Sequence, residues 1–258
     1  YCGIASVFAC LSGLLVGSGL LSKADTMFDS AADFQKFAVA LIFFALVFDS
    51  LDGTVAKVTN TTSEFGKQLD SLCDLVSFGV APGMLIFTAF LQHSLQEGMV
   101  TAPIGSVLAV VFVTCGALRL ARYNVYQAGR RDYFTGLPIP AAGITIASFS
   151  LFRLYFQMDR LALWILGPLV LLLAFLMVST LRYPKDRIRT MVLAPGSALQ
   201  LLTLIVIGIA VFDFASAQSP AIVLFPASLL YVSIGIIDYL YSVIRRKPLH
   251  EPEPSTEP

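Results

Sequence analysis

Between Phe48 and Pro82 the chain reads FDSLDGTVAKVTNTTSEFGKQLDSLCDLVSFGVAP, and its four aspartates, Asp49, Asp52, Asp70 and Asp74, are the residues best placed to do chemistry. They stand at the ends of two apolar stretches, and Asp49 directly follows FFALVF. An aspartate inside a membrane segment costs about 2.5–3.5 kcal/mol on insertion scales, so such residues call for a compensating partner. At about 100° per residue, Asp49, Asp52 and Ala56 share one side of a helix, and Asp70 and Asp74, at i and i+4, share another. Packed antiparallel across the 57–69 connection, the two helices would aim four carboxylates into one cleft. Lys57 and Lys67 neutralise part of that charge. Hard divalent ions, Mg²⁺ or Mn²⁺, suit an all-oxygen shell better. Two metals bridged by shared carboxylates serve in-line displacement at phosphorus, so phosphoryl transfer is the chemistry expected. A purely structural ion-pair network is the bland alternative, and it lacks nearby cations.

Small residues accompany the aspartates. Gly53 follows Asp52, Ala56 lies one turn on, and Gly66 opens the next helix after the polar stretch Thr59–Glu64. Each lets a bulky ligand approach a helix backbone, although close packing of membrane helices also favours small residues. Farther along, Arg119 and Arg122 share a helix face at the end of an apolar run. A guanidinium there suits a carboxylate, or it can snorkel to headgroups. Gly136-Leu137-Pro138-Ile139-Pro140 predicts a helix stop and re-entry.

The elements that must position these groups are set by a bilayer. Of 258 residues, 57% are hydrophobic and 13% charged, with a mean hydropathy of +0.79; soluble domains carry about 25% charge. Spanning takes about 20 apolar residues, and eight such blocks are legible, at 2–21, 36–56, 70–92, 103–121, 139–157, 161–181, 198–215 and 221–244. The net charge is zero, yet the connections sort it: 13 of the 17 Lys and Arg fall on one side and 4 on the other. Positive residues favour the cytoplasm, so the even-numbered connections and both termini are expected there. The expected architecture is therefore all-α: a polytopic transmembrane bundle of about eight spans, with the active site at the cytoplasmic ends of spans 2 and 3. Residues 1–247 form one catalytic domain, and the Pro/Glu-rich 248–258 a disordered tail. The start at Tyr1-Cys2-Gly3, already apolar and without Met, is that expected of a truncated chain. Cys2, Cys10, Cys73 and Cys115 form no CxxC pair and read as buried small hydrophobes. Nothing in the charge pattern calls for nucleic acid.

The run Asp49-x2-Asp52-Gly53-x2-Ala56-Lys57-x8-Gly66-x3-Asp70-x3-Asp74 resembles the signature of the CDP-alcohol phosphotransferases, D-x2-D-G-x2-A-R-x8-G-x3-D-x3-D. The one departure is Lys57, where the family has Arg. The resemblance implies that Asp49, Asp52 and Asp70 ligate one metal and Asp49, Asp70 and Asp74 the second. It implies that Asp74 is the general base, that Gly53, Ala56, Lys57 and Gly66 line the CDP-lipid side, and that Ser63 lies near the diphosphate. Phe65–Pro82, Arg119–Val125 (RLARYNV) and Phe134–Gly143 (FTGLPIPAAG) resemble segments of bacterial and archaeal CDP-diacylglycerol–serine O-phosphatidyltransferases. That branch implies CDP-diacylglycerol as donor and L-serine as acceptor, with membrane lipids around the protein. Members of the family are commonly homodimeric, which nothing in these residues requires. Glycerol 3-phosphate and inositol phosphate are the runner-up acceptors, and a phosphorylated acceptor would need further basic residues. A secondary transporter would also put ionisable groups in the membrane, but needs no GxxxDxxxD and shows repeated halves, which this chain lacks.

Overall fold

The computed structural model describes residues 31–58, 63–97, 101–126, 133–179, 182–184 and 224–233, with side chains in the first of these from Gln35 to Asp49. They form α1 (Ala31–Val58), α2 (Glu64–Leu75), a π-helical turn (Val76–Val80), α3 (Ala81–Glu97), α4 (Ala102–Tyr126), β1 (Tyr133–Thr135), α5 (Ile139–Phe156), α6 (Asp159–Val178) and β2 (Arg182–Pro184). A short apolar helix, α7 (Leu224–Ser233), follows.

Four helical segments are long and apolar enough to cross a membrane: Glu64–Ser94, Ala102–Val125, Ile139–Phe156 and Leu161–Val178. They coincide with the blocks expected at 70–92, 103–121, 139–157 and 161–181. The block at 36–56 lies within α1, and α7 lies within the one at 221–244. The blocks at 2–21 and 198–215 and the tail 248–258 lie outside the described residues. Two features depart from a plain all-α bundle. The third block starts earlier than expected and winds through the π turn between α2 and α3. The re-entry before α5 carries an antiparallel ribbon, with Tyr133 opposite Pro184 and Thr135 opposite Arg182.

Helices in a bilayer gain little by hiding apolar surface from equally apolar lipid, so close approach and polar contacts decide their packing. α5 occupies the centre accordingly. Its Ala142, Gly143, Ala147, Ser148 and Ser150 are all buried, and it packs on α1, α3 and the π turn. At Gly143 a Cβ would stand 2.6 Å from the Phe78 carbonyl oxygen, so only glycine lets α5 lie on the π turn. Thr145 and Ser148 return their hydroxyls to the carbonyls of Ala141 (2.8 Å) and Thr145 (3.1 Å), which satisfies them inside the bundle. The outer faces stay apolar: Trp164 and Phe175 of α6 and Val107 and Val110 of α4 are exposed, as lipid contact requires.

Candidate active site

α2 is amphipathic in a membrane sense. Phe65, Leu69 and Leu72, at helical spacing, are exposed, so the opposite face carries Asp70, buried Cys73 and Asp74. The helix begins at Ser63, whose Oγ accepts from the Gly66 N–H at 3.0 Å; a Cβ at Gly66 would press on that oxygen at 3.1 Å. Ser63 and Gly66, both expected near the donor, thus meet as a helix cap. Lys67 pairs with Glu64 at 2.6 Å on the exposed side. The π turn comes directly after α2, two residues beyond Asp74; such widenings of a helix recur at functional sites.

Asp49 of α1 comes within hydrogen-bonding reach of Asp74, and Asp70 and Arg119 lie within its electrostatic range. Two ionised carboxylates tolerate such closeness only with a shared proton or a cation between them. The Oδ1 atom of Asp74 is buried without a hydrogen-bond partner. Arg119, on α4, is 7% exposed. Its guanidinium carbon stands 5.9 Å from the Tyr123 ring centre, and its Nε is likewise buried without a partner. Asp74 of α2 thus keeps an unfilled acceptor and Arg119 of α4 an unfilled donor, both buried.

The other expected residues are placed as follows. Asp52, Gly53, Ala56 and Lys57 lie on the last turns of α1, beyond Asp49, and their side chains fall outside the described residues. Arg122 donates from Nη1 to the Val178 carbonyl at 2.7 Å and from Nη2 to the Ser179 carbonyl at 2.8 Å. It caps the C-terminal end of α6, so an acceptor carboxylate would have to compete with main-chain oxygens there. Asn124, not singled out from the sequence, donates from Nδ2 to Ser71 Oγ at 3.0 Å and to Gln68 Oε1 at 3.4 Å, clamping α4 to α2 beside the aspartates. Its only sequence signal is its place inside RLARYNV. Cys73 and Cys115 are free thiols.

Asp49 and Asp70 lie within electrostatic range of Asp74, and one buried Asp74 oxygen lacks a partner, a chemistry that a divalent cation would satisfy. Among the described residues, no three His, Cys, Asp or Glu side chains already stand at ligand spacing; Asp52 is not among those side chains.

The sequence profile of the CDP-alcohol phosphatidyltransferases matches residues 4–181, which takes in all the residues above. The chain belongs to this family. The family generally uses divalent metal ions. Among curated proteins, the chain is 39% identical over 147 residues to a CDP-diacylglycerol–serine O-phosphatidyltransferase of Methanocaldococcus jannaschii, covering 57% of the chain and 63% of that relative. It is 39% identical over 150 residues to an archaetidylserine synthase of Methanothermobacter thermautotrophicus, covering 57% and 58%. It is 40% identical over 148 residues to a CDP-diacylglycerol–serine O-phosphatidyltransferase of Helicobacter pylori, covering 56% and 59%. The match thus spans about three-fifths of the length of these relatives.

Proposed function

We propose that the chain transfers a phosphatidyl group from CDP-diacylglycerol to L-serine, giving phosphatidylserine and CMP. The observation that carries this reading is that Asp74 and Arg119 lie within electrostatic range of each other, each with a buried, unsatisfied atom, Oδ1 and Nε. A zwitterionic alcohol would satisfy both: its carboxylate takes the guanidinium, and its hydroxyl reaches the carboxylate. The names of the relatives support serine, since all three contain it while differing in the lipid.

Asp49, Asp52, Asp70 and Asp74 would hold two divalent ions, Mg²⁺ or Mn²⁺. When bound, these neutralise the donor diphosphate and the charge that builds on phosphorus oxygens during displacement. Lys57 offers a further positive charge to the CDP moiety, with Gly53 and Ala56 leaving room for it. Arg119 orients the serine carboxylate, and Asp74 accepts the proton from the serine hydroxyl as that oxygen attacks the lipid-bearing phosphorus. The phosphoanhydride bond breaks and CMP departs. Orientation in a cleft shielded by α4 and α5, together with prearranged charge, supplies most of the acceleration. The bundle of about eight spans would lie in the cytoplasmic membrane with this cleft facing the cytoplasm, as the 13-to-4 sorting of positive residues favours.

Purified protein in vesicles, given CDP-diacylglycerol and labelled serine, glycerol 3-phosphate or inositol phosphate, tests the acceptor. Serine should be used. EDTA should stop turnover and Mg²⁺ or Mn²⁺ restore it, and Asp49→Ala or Asp70→Ala should abolish it. Turnover that persists in excess EDTA would overturn the metal reading; transfer only to a phosphorylated alcohol would overturn the acceptor.

A further inference from the structure

Ser77, in the π turn, is 1% exposed, and its Oγ is buried without a hydrogen-bond partner among the described residues. A hydroxyl inside a membrane helix ordinarily returns to a carbonyl of the preceding turn. Ser71 and Thr88 of the same span do so, onto Lys67 at 3.2 Å and Met84 at 2.9 Å. The winding changes around Ser77: the Val76 N–H donates to the Cys73 and Leu72 carbonyls, and the Ala81 N–H reaches back to the Val76 carbonyl. A buried hydroxyl left unsatisfied costs about 1–3 kcal/mol, so its presence calls for a use.

Its place in the fold supplies one. Asp70, Asp74 and Ser77 stand at i, i+4 and i+7, one stripe along the helix. Phe65, Leu69 and Leu72 are exposed on the other side, and the stripe continues inward as buried Ala81 and Leu85. Ser77 is thus its last polar residue. Residues three apart on a helix hold their Cβ atoms about 5–6 Å from each other, so Ser77 is the neighbour of Asp74, whose Oδ1 is likewise unpartnered. α4 passes alongside: a Cβ at Gly116 would stand 3.8 Å from Leu75 Cδ1, and Arg119 follows one turn later. Of the polar groups of L-serine, the carboxylate falls to Arg119 and the hydroxyl to Asp74, and the ammonium still needs an acceptor. A side-chain hydroxyl offers two lone pairs, and an ammonium has three donors with which to reach Ser77 and an aspartate oxygen together.

We infer that Ser77 is an acceptor-binding residue: its Oγ takes a hydrogen bond from the substrate ammonium and so selects an amino alcohol over a plain hydroxy acid. The inference rests on the proposed transfer to serine, with Arg119 and Asp74 in their proposed roles.

Steady-state assays on the full chain in vesicles, with CDP-diacylglycerol and L-serine, test it. Ser77→Ala should raise the KM for serine about tenfold, the order expected when a charged group loses one hydrogen bond. Its kcat and donor KM should stay within about twofold of wild type, a smaller change than that loss. Ser77→Thr, which keeps the hydroxyl, should retain most of the serine affinity, and Ser77→Cys, whose thiol fills the space but bonds weakly, should behave as Ser77→Ala does. Because the hydroxyl has no partner within the protein, Ser77→Ala should melt in detergent no lower than wild type. 3-Hydroxypropanoate, which is serine without its amino group, should compete with serine equally well in wild type and Ser77→Ala. An unchanged serine KM in both Ser77→Ala and Ser77→Cys would overturn the inference. So would a parallel decline of donor and acceptor parameters with a lowered melting temperature, which marks a structural role. Equal weakening of serine and 3-hydroxypropanoate would overturn the ammonium as the group bound; if the analogue does not compete in wild type, the serine KM of the three variants decides. A wild-type chain that binds CDP-diacylglycerol but ignores serine would overturn the proposed acceptor itself, and the role of Ser77 with it.

Discussion

Asp74 is asked to do two things that a single substitution can separate. It stands beside Asp49 and Asp70 as a metal ligand would, and across from Arg119 as a base for a carboxylate-bearing alcohol would. Asparagine keeps an oxygen of similar reach but cannot take the proton. A positioned base contributes about 10²–10⁴-fold, so Asp74→Asn should lower kcat by at least about 10² while equilibrium binding of CDP-diacylglycerol stays largely intact. Donor binding lost in step with kcat would make Asp74 chiefly a ligand. Lys57 poses a similar question, because lysine is a point charge where arginine is a planar fork. Lys57→Ala should raise the KM for CDP-diacylglycerol about tenfold, the order of one charged hydrogen bond, and Lys57→Arg should remain active. Donor kinetics that ignore Lys57→Ala would detach this position from the donor. Arg122 carries the opposite lesson: a side chain with the right charge and spacing is engaged by the carbonyls of Val178 and Ser179.

Among the elements, the turn that enters α5 carries the tightest constraint. Gly136 has φ +80°, a left-handed conformation, and a Cβ there would come within 2.4 Å of the Met177 carbonyl oxygen and 3.1 Å of Arg122 Nη2. Next to it, the Leu137 N–H donates to the Leu176 carbonyl at 3.0 Å. Gly136→Ala therefore both strains the backbone and wedges apart the α6 terminus and its arginine cap. Strain of this kind costs about 1–3 kcal/mol, so the variant should unfold at a lower temperature in detergent than wild type. An unchanged midpoint would show that the turn relaxes without loss. The π turn is held as closely, with Gly143 of α5 seated on the Phe78 carbonyl. Its position just after Asp74 ties the direction of the last aspartate to the packing of α5.

Across the whole molecule, the proposed orientation makes a direct prediction. A single cysteine replacing Thr62, in a background without Cys2, Cys10, Cys73 and Cys115, should react with an impermeant thiol reagent only from the cytoplasmic side. One placed in the 93–102 connection should react only from outside. Labelling of position 62 from outside would reverse the charge argument and move the cleft to the other leaflet. What the sequence determined alone is what local geometry governs. The aspartate run could be read because it is confined to 26 residues on two helices, where a fixed 3.6-residue turn converts spacing into a face. Four spans could be read because bilayer thickness sets an apolar length. The tertiary structure alone decided which groups meet across the bundle. It brought Arg119 of α4 to Asp74 of α2 and set Arg122 on the end of α6. It joined Asn124 to Ser71, and it docked α7 on α5 through Phe225 and Ser228. The physical reason is that apolar helices in lipid show no hydrophobic pattern that names their neighbours; contacts of small residues and single polar groups choose them, and these leave no period in the chain.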